Sequence, residues 1–545
     1  MMIVNNSQLS LFDIINKSNQ NEVKDIKKFC NINWNDNLHS YTIEKYKEDV
    51  QKYGLKLTWD AICEFLINSS NSNDLFNINN LGELYEIGLA VQNKNEKKSN
   101  GQYYTPNDVC KVMGKWLYKL NGCSICDVAC GTGNLILAYF EIIGRDEVIN
   151  ILKNKLLYLY DLDETALKIC KTTILLKYGK EYINNIHDIH CDFLDNTIHL
   201  PKNCKVISNP PYASISELGI TWEQSTIQKR TKELYSSFME KIIKESTSAV
   251  IITPYSFIGG KKFYSLRELM NNYSGFVISF DNVPGNIFYG KKHGIFNTNT
   301  SNSVRAAITV VNNTGEKGFR ISPIIRFKNE ERNILLQNEC LESFLPNNHQ
   351  IVSMIQPSYV KCFKELFSLY QDWTTKSDSK LKNFISSNDT NYTIYVPNTC
   401  RYFTTGSARK LNRNGSIKLN IIDRKYFGYI YCLINSSFTY WWWRIFDGGI
   451  TYPVSLLTSL PVFISLLTDE DFKFFDDLCE EMINLEENCI TTKLNAGQLQ
   501  ENIKFPSYFR ERINEKFIKI LKSNVNSKLL NLIHSNKAIK EAKDD

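Results

Sequence analysis

The feature that most limits the fold is residues 123–311, where short apolar runs alternate with helix-like segments. Strand-like runs stand at CSICDV, LLYLYD, IHDIHC, CKVISN, AVIIT, FVISF and RAAITVV, and the helical stretches GNLILAYFEII and ETALKICKTTILLKYG separate several of them. A chain that alternates in this way buries its apolar faces by crossing over and laying parallel strands beneath helices. The expected fold is therefore α/β, with a doubly wound, mostly parallel sheet. Ligands of such sheets bind beyond the carboxyl ends of the strands, so the residues that directly follow each strand matter most.

The flanks read differently. Residues 1–95 are expected to form a helical amino-terminal region, with amphipathic stretches such as YTIEKYKEDVQKYG and LTWDAICEFLINSS between Asn/Ser-rich breaks; the polar run NKNEKKSNGQ reads as a linker. The alternating domain is expected over 96–345. Residues 346–545 form an α+β region that ends in helical stretches, DFKFFDDLCEEMINLEEN and RERINEKFIKILKSN. Several domains suit a chain of 545 residues. No run of eighteen apolar residues occurs and the start lacks a basic region before an apolar core, so neither a membrane span nor a secretory signal is expected. Fifteen cysteines without a framework pattern read as reduced thiols of a cytoplasmic protein. Cys123 and Cys126 lack a second pair at zinc spacing, and no metal is expected.

Four segments that follow strands carry chemistry. Asp127-Val-Ala-Cys-Gly-Thr-Gly-Asn134 joins a strand to an apolar helix, and Gly131 and Gly133 allow a tight turn and close approach to a ligand. A plain strand-to-helix turn is the alternative, and the phosphate-loop pattern is not met. Tyr160-Asp161-Leu162-Asp163 closes the next strand; an acid there suits ribose hydroxyls, or equally a helix N-cap. Cys191-Asp192-Phe193 follows the third strand and could be a solvated acid beside a core aromatic. Ser208-Asn209-Pro210-Pro211-Tyr212 follows the fourth. Its two prolines fix the backbone and remove two amide donors, Asn209 adds a side-chain acceptor, and Tyr212 adds a flat stacking face. Otherwise the segment is a rigid turn. An amine donating to two such acceptors is drawn toward tetrahedral geometry, which frees its lone pair.

Taken in this order, the segments resemble S-adenosylmethionine-dependent amino-methyltransferases, above all γ-order adenine-N6 DNA methyltransferases of the NPPY type from restriction-modification systems. The segment Gly101-Gln-Tyr-Tyr-Thr-Pro106 matches the upstream motif of that family, and the resemblance covers roughly residues 99–311. It implies a Rossmann-like methyltransferase sheet and S-adenosyl-L-methionine as cofactor. Tyr104, Thr105 and Pro106 would help hold its methionine part, and Asp127, Ala129 and Gly131 would shape the methionine–ribose end. Asp161 would bind the ribose hydroxyls, Asp192 would accept from the adenine amino group, and Phe193 would pack on that ring. Asn209, Pro210, Pro211 and Tyr212 would be the catalytic motif that holds a flipped target base, with Phe288 on its other face or else packed in the core.

Duplex DNA is the expected substrate, because the long carboxyl-terminal extension supplies a surface for reading sequence. Between Arg401 and Lys425 seven basic residues stand against one acid, a local +6 equal to the net charge of the whole chain. Arg401, Arg409, Lys410 and Arg413 are the candidate DNA contacts, with a solvated basic loop as the alternative. Trp441, Trp442 and Trp443 cannot all face one side, so at least one is core and a base-stacking platform is a further reading. The function expected is a stand-alone, site-specific enzyme. Alternatives are a modification subunit that needs a separate specificity subunit and, less so, a fused restriction endonuclease built on Asp13 and Glu22-Val-Lys24. No proline precedes a cysteine, so the nucleophile of cytosine-C5 methylation is missing.

Overall fold

A computed structural model describes residues 43–68, 81–92, 105–215, 225–288, 304–313, 315–400, 402–495 and 497–538. Asp13, Glu22, Lys24, Tyr104 and Arg401 lie outside the described residues. The chain divides into two compact units. The first takes in Met1–Phe257, Lys262–Phe319 and Arg332–Leu341; the second takes in Ile258–Lys261, Arg320–Glu331 and Glu342–Asp545.

In the first unit, helices α1 (Ile43–Tyr53), α2 (Leu55–Asn68) and α3 (Leu81–Gln92) precede α4 (Asn107–Tyr118) and a doubly wound sheet. The sheet strands are β1 (Ser124–Val128), β2 (Leu157–Asp161), β3 (Ile186–His190), β4 (Cys204–Ser208), β5 (Ser248–Pro254), β6 (Ser274–Phe280), β7 (Ala306–Asn312) and β8 (Gly318–Ile325), the last of which belongs to the second unit from Arg320 onward. Their order is β3-β2-β1-β4-β5-β7-β6-β8. The first five strands in this order run parallel, and β7 is antiparallel to both β5 and β6. Every residue of β1 and of β4 is buried, as central parallel strands covered on both faces require. The seven strand-like runs read from the sequence all form strands, whereas β8 went unread because its Arg320 and Pro323 interrupt the apolar run.

Between the strands lie α5 (Asn134–Ile143), α6 (Arg145–Lys153), α7 (Glu164–Tyr178), α8 (Thr226–Thr231), α9 (Leu234–Glu245) and α10 (Tyr264–Met270). Asp163 starts α7 by accepting the amides of Thr165 and Ala166, both at 3.0 Å. Against α7 pack α1 to α3, whose apolar faces close over Trp59, Tyr46 and Tyr85 together with Ala166, Ile169 and Leu176. The amino-terminal helices thus share a core with the sheet's own helix layer.

The second unit contains α11 (Phe367–Lys376), the short strands β9 (Ile385–Ser386), β10 (Thr393–Pro397) and β11 (Ser416–Ile421), and helices α12 (Arg424–Asn435), α13 (Ser437–Phe446) and α14 (Asp469–Leu485). A hairpin, β12 (Ile490–Asn495) and β13 (Gln498–Ile503), and helix α15 (Ser507–Ile520) follow. The hairpin was not foreseen, since only two apolar residues stand in each of its six-residue strands. Helix α13 is enclosed on all sides: Trp441, Trp442 and Trp443 are 1%, 8% and 1% exposed. Trp441 stacks on Trp373 with ring centres 6.0 Å apart, and the Trp443 indole donates to the Thr451 carbonyl. All three indoles are therefore core, which removes the base-stacking platform.

Because Trp441 is wholly buried in an aromatic cluster, Trp441→Ala is expected to destabilise this unit by about 3–5 kcal/mol. Chemical denaturation followed by fluorescence checks this; an unmoved midpoint would contradict the core assignment.

Candidate active site

Strand order reverses between β1 and β4, so the helices that follow them leave to opposite faces and a crevice opens beyond their carboxyl ends. Register decides what lines it. Val128 pairs with Tyr160 on one side and with Ser208 on the other, and Asp161 pairs with His190. The segments at 129–134, 161–163, 191–193 and 209–212 therefore emerge at one level. The Ser208 hydroxyl donates to the Val128 carbonyl at 2.7 Å, which ties the two central strand ends together.

The turn after β1 is tight. Ala129 has φ 58°, Gly131 53° and Gly133 92°. Left-handed backbone at a residue with a Cβ costs about 1–2 kcal/mol, strain of the kind concentrated at functional sites. The two glycines do different work. A Cβ on Gly133 would lie 2.5 Å from the Cys170 sulfur in α7, whereas a Cβ on Gly131 would meet nothing within 4 Å. Gly133 thus allows packing, and Gly131 borders open space.

Three carboxyls stand round this turn. Asp127 is fully buried; its Oδ2 accepts the Ile136 amide at 3.2 Å, and its Oδ1 has no hydrogen-bond partner among the described residues. Burial holds this carboxyl well above the usual carboxylate range, with the Asp161 charge adding to the rise. Asp161 accepts the Gly131 amide at 2.7 Å on one oxygen and the Asp163 amide at 2.8 Å on the other. Burial pushes Asp161 up to about 6, against the opposing pull of those amides. Asp192 is exposed and accepts the Leu194 amide at 3.0 Å. Phe193, by contrast, is 3% exposed and packs against Tyr160 and Phe238. Its ring is a core ring in this structure, the alternative that the sequence left open.

Across the crevice, the Asn209 side-chain nitrogen donates to the Thr105 hydroxyl at 2.8 Å. Thr105 is buried just ahead of α4. This bond orients the amide, with its oxygen on the branch away from Thr105. Pro210 is buried, and Pro211 and Tyr212 are half-buried. The Tyr212 hydroxyl donates to the Ile252 carbonyl of β5 at 3.2 Å, which anchors the ring from beneath. Phe288 lies 6.0 Å from Tyr212, edge to face at 63°, and is 8% exposed. A flat base between two stacking rings needs centres about 7 Å apart and near-parallel planes, so the Phe288 ring must turn to admit one.

Arg332 was not legible in the sequence, where NEERNILL carries no motif. Its guanidinium grips both Asp108 oxygens, at 2.6 and 3.0 Å, and also donates to the Asn286 and Ile287 carbonyls at 2.8 and 2.7 Å. One buried fork thereby joins the first turn of α4, beside Thr105, to the backbone that carries Phe288. Asp108 lies 224 residues away in sequence, so no local pattern announces the pair.

In the second unit three residues of the basic segment are paired with acids. Arg409 meets Glu487 at 2.6 Å, Lys418 meets Asp389 at 2.5 Å, and Arg424 meets Asp476 at 2.7 Å. Arg413 donates to Asn502 and Thr399, and Lys410 is exposed. Acids from elsewhere in the chain thus offset part of the local +6, which a sequence window cannot count.

The donors and spaces fit a sulfonium nucleoside such as S-adenosylmethionine: a buried acid oxygen without a partner, open space at Gly131, and carboxyls at the ends of β2 and β3. Among the described residues no cluster of three or more His, Cys, Asp or Glu could hold a metal ion. No helix among them is long and apolar enough to cross a membrane.

Residues 76–312, rather under half of the chain, match the family model described as N-6 DNA Methylase. The type I restriction enzyme MpnII methylase subunit of Mycoplasma pneumoniae is 24% identical over 307 residues, 50% of this chain and 51% of that protein. The type I restriction enzyme EcoEI methylase subunit of Escherichia coli is 24% identical over 219 residues, 38% and 42% of the two chains. The chain thus spans about half the length of the curated relatives it matches, or less. Among solved structures, a nuclease-deletion mutant of the type ISP restriction-modification enzyme LlaGI, in complex with a DNA substrate mimic, aligns with 89% of this chain and 69% of its own at 12% identity, TM-score 0.41.

Arg332 is 5% exposed, and the Asp108 side chain is 39% exposed. Removing the cation from such a half-screened pair, as in Arg332→Met, is expected to cost about 2–4 kcal/mol. Thermal and denaturant unfolding of the full chain measure this, and a loss below about 0.5 kcal/mol would deny Arg332 its clamping role.

Proposed function

We propose that the protein is an adenine-N6 DNA methyltransferase of a restriction-modification system, with S-adenosyl-L-methionine as methyl donor. The observation that carries this reading is the oriented Asn209 amide, ahead of Pro210-Pro211-Tyr212 and level with the glycine turn across the crevice. Asp161 would hold the ribose hydroxyls, Asp127, Ala129 and Gly131 the methionine–ribose end, Thr105 and Pro106 the methionine part, and Asp192 the adenine amino group. Bound there, the cofactor supplies an electrophilic methyl group on a sulfonium.

The chain's own task is to present a nucleophile. A stacked adenine cannot reach the crevice, so the base leaves the duplex. Asn209 and the Pro210 carbonyl accept its two amino hydrogens, while Tyr212, anchored through its hydroxyl on β5, stacks on the ring. So held, the amino nitrogen would present its lone pair to the methyl group that the cofactor would supply, and the amino proton released would pass to solvent. No side chain needs to act as a covalent nucleophile; positioning supplies the rate.

Contact with duplex DNA is assigned to the second unit. The hairpin register puts Thr491 opposite Asn502 and Lys493 opposite Gln500 on one face. Arg413 and Asn414 bond to Asn502 and Gln498 beside it. Amides suit base edges, and a two-stranded ribbon fits the major groove. Lys410, which is exposed, is better placed for phosphates than Arg409, which is paired with Glu487, or Arg413, whose guanidinium is held by Asn502 and Thr399.

The relatives' names favour a second reading, a modification subunit that works with a separate specificity protein. Purified chain that methylates one short motif by itself supports the self-sufficient enzyme; methylation that appears only with a second protein supports the subunit.

Asn209→Ala is expected to lower methyl transfer by about 100-fold or more while S-adenosylhomocysteine binding stays within a few-fold, as read by calorimetry. Turnover near that of the wild type would end the assignment. Binding should also depend on pH. Asp161 accepts ribose hydroxyls best when ionised, so affinity should hold steady above about pH 7. As pH falls through about 6 it should weaken, by at most about tenfold per unit. A flat profile, or tighter binding in acid, would remove Asp161 from the ribose site.

A further inference from the structure

Helix α3 stands outside every motif that points to the cofactor, yet two of its residues bear on the crevice. The Tyr85 hydroxyl donates to Oδ2 of Asp163. The Asp163 amide donates to Asp161 at 2.8 Å, and the other Asp161 oxygen accepts the Gly131 amide at 2.7 Å. Tyr85 is thus the outermost link of a hydrogen-bonded series that ends in the glycine turn. Tyr85 is 4% exposed, and burial together with the Asp163 charge keeps its hydroxyl protonated, hence a constant donor.

The second residue is Gly82. A Cβ there would lie 2.8 Å from the Thr132 hydroxyl and 3.7 Å from the Asn134 side chain. The backbone of α3 therefore lies directly against the turn at 129–134, at a distance only glycine permits without displacing Thr132. The opposite end of the helix is equally close to its own layer, where a Cβ on Gly88 would overlap Tyr46 and Leu55. Trp59 packs edge-on against Tyr85, with ring centres 6.1 Å apart. The helix is wedged between a solid aromatic core and the two loops that face the crevice.

We infer that α3 is a wall of the cofactor site, with Tyr85 a positioning residue that holds Asp161 through Asp163 and Gly82 setting the position of Thr132. The inference rests on the reading of the crevice as an S-adenosylmethionine site. Asp163 would cap α7 without Tyr85, since the Thr165 and Ala166 amides use its other oxygen. What Tyr85 adds is a fixed direction for the Asp163 carboxylate, and so for the backbone amide that orients Asp161.

The test is S-adenosylhomocysteine binding to the full-length protein by calorimetry, alongside steady-state methylation of DNA. Tyr85→Phe removes one oxygen and is expected to weaken binding about tenfold and to raise KM for the cofactor in proportion, with kcat within twofold. Gly82→Ala is expected to weaken binding by at least threefold. Ile62→Ala loosens the same helical layer without touching either loop, and should lower the melting temperature while leaving affinity within twofold. Wild-type affinity in Tyr85→Phe, or an equal loss in Ile62→Ala, would overturn the inference. Failure of the wild-type protein to bind S-adenosylhomocysteine would overturn instead the reading on which it rests.

Discussion

Everything at the crevice depends on β1 being held level between two parallel neighbours. Val128 pairs with Tyr160 and with Ser208, so the strand ends of β1, β2 and β4 stop at one height. A slip of one residue would turn Asp127 out of its buried position and carry the glycine turn away from Asp161. The Ser208 hydroxyl bonded to the Val128 carbonyl locks the β1–β4 pair at the point where strand order reverses. Once this register is set, a helix-forming turn on one side and a proline-stiffened turn on the other face each other without further instruction.

Polar anchors then convert that placement into chemistry. Asp161 is oriented by two backbone amides, Asn209 by the Thr105 hydroxyl, and the approach to Phe288 by the Arg332 fork. Asn209 and Thr105, and Arg332 and Asp108, come from distant parts of the chain, so assembly of the fold and assembly of the site are one event. Preorganisation of this kind suits a reaction in which the protein contributes alignment rather than a covalent step.

The sheet was legible because its signals are local: apolar runs of five to seven residues, each closed by a polar or glycine-rich turn, map one to one onto β1 to β7. The segments at the strand ends were legible for the same reason. The hairpin β12–β13 was not, because its apolar pairs, Ile490 with Ile503 and Leu494 with Leu499, meet only once the strands pair and are sparse along the chain. The basic run at 401–425 carries less free charge than its sequence window shows for a related cause: Glu487, Asp389 and Asp476, which pair with three of its residues, come from outside the window. The tryptophan triplet could not be settled by helical geometry alone, since a helix enclosed on every side buries all its faces. Arg332 and Tyr85 act only through residues remote in sequence, and a single chain read along its length has no means to pair them.

The central claim is that this crevice transfers a methyl group to the amino nitrogen of adenine in DNA. The most direct test incubates the protein with methyl-labelled S-adenosylmethionine and unmethylated genomic DNA, then resolves the nucleosides by mass spectrometry. The account predicts label in N6-methyldeoxyadenosine. Label on cytosine, or on protein in place of DNA, would contradict it.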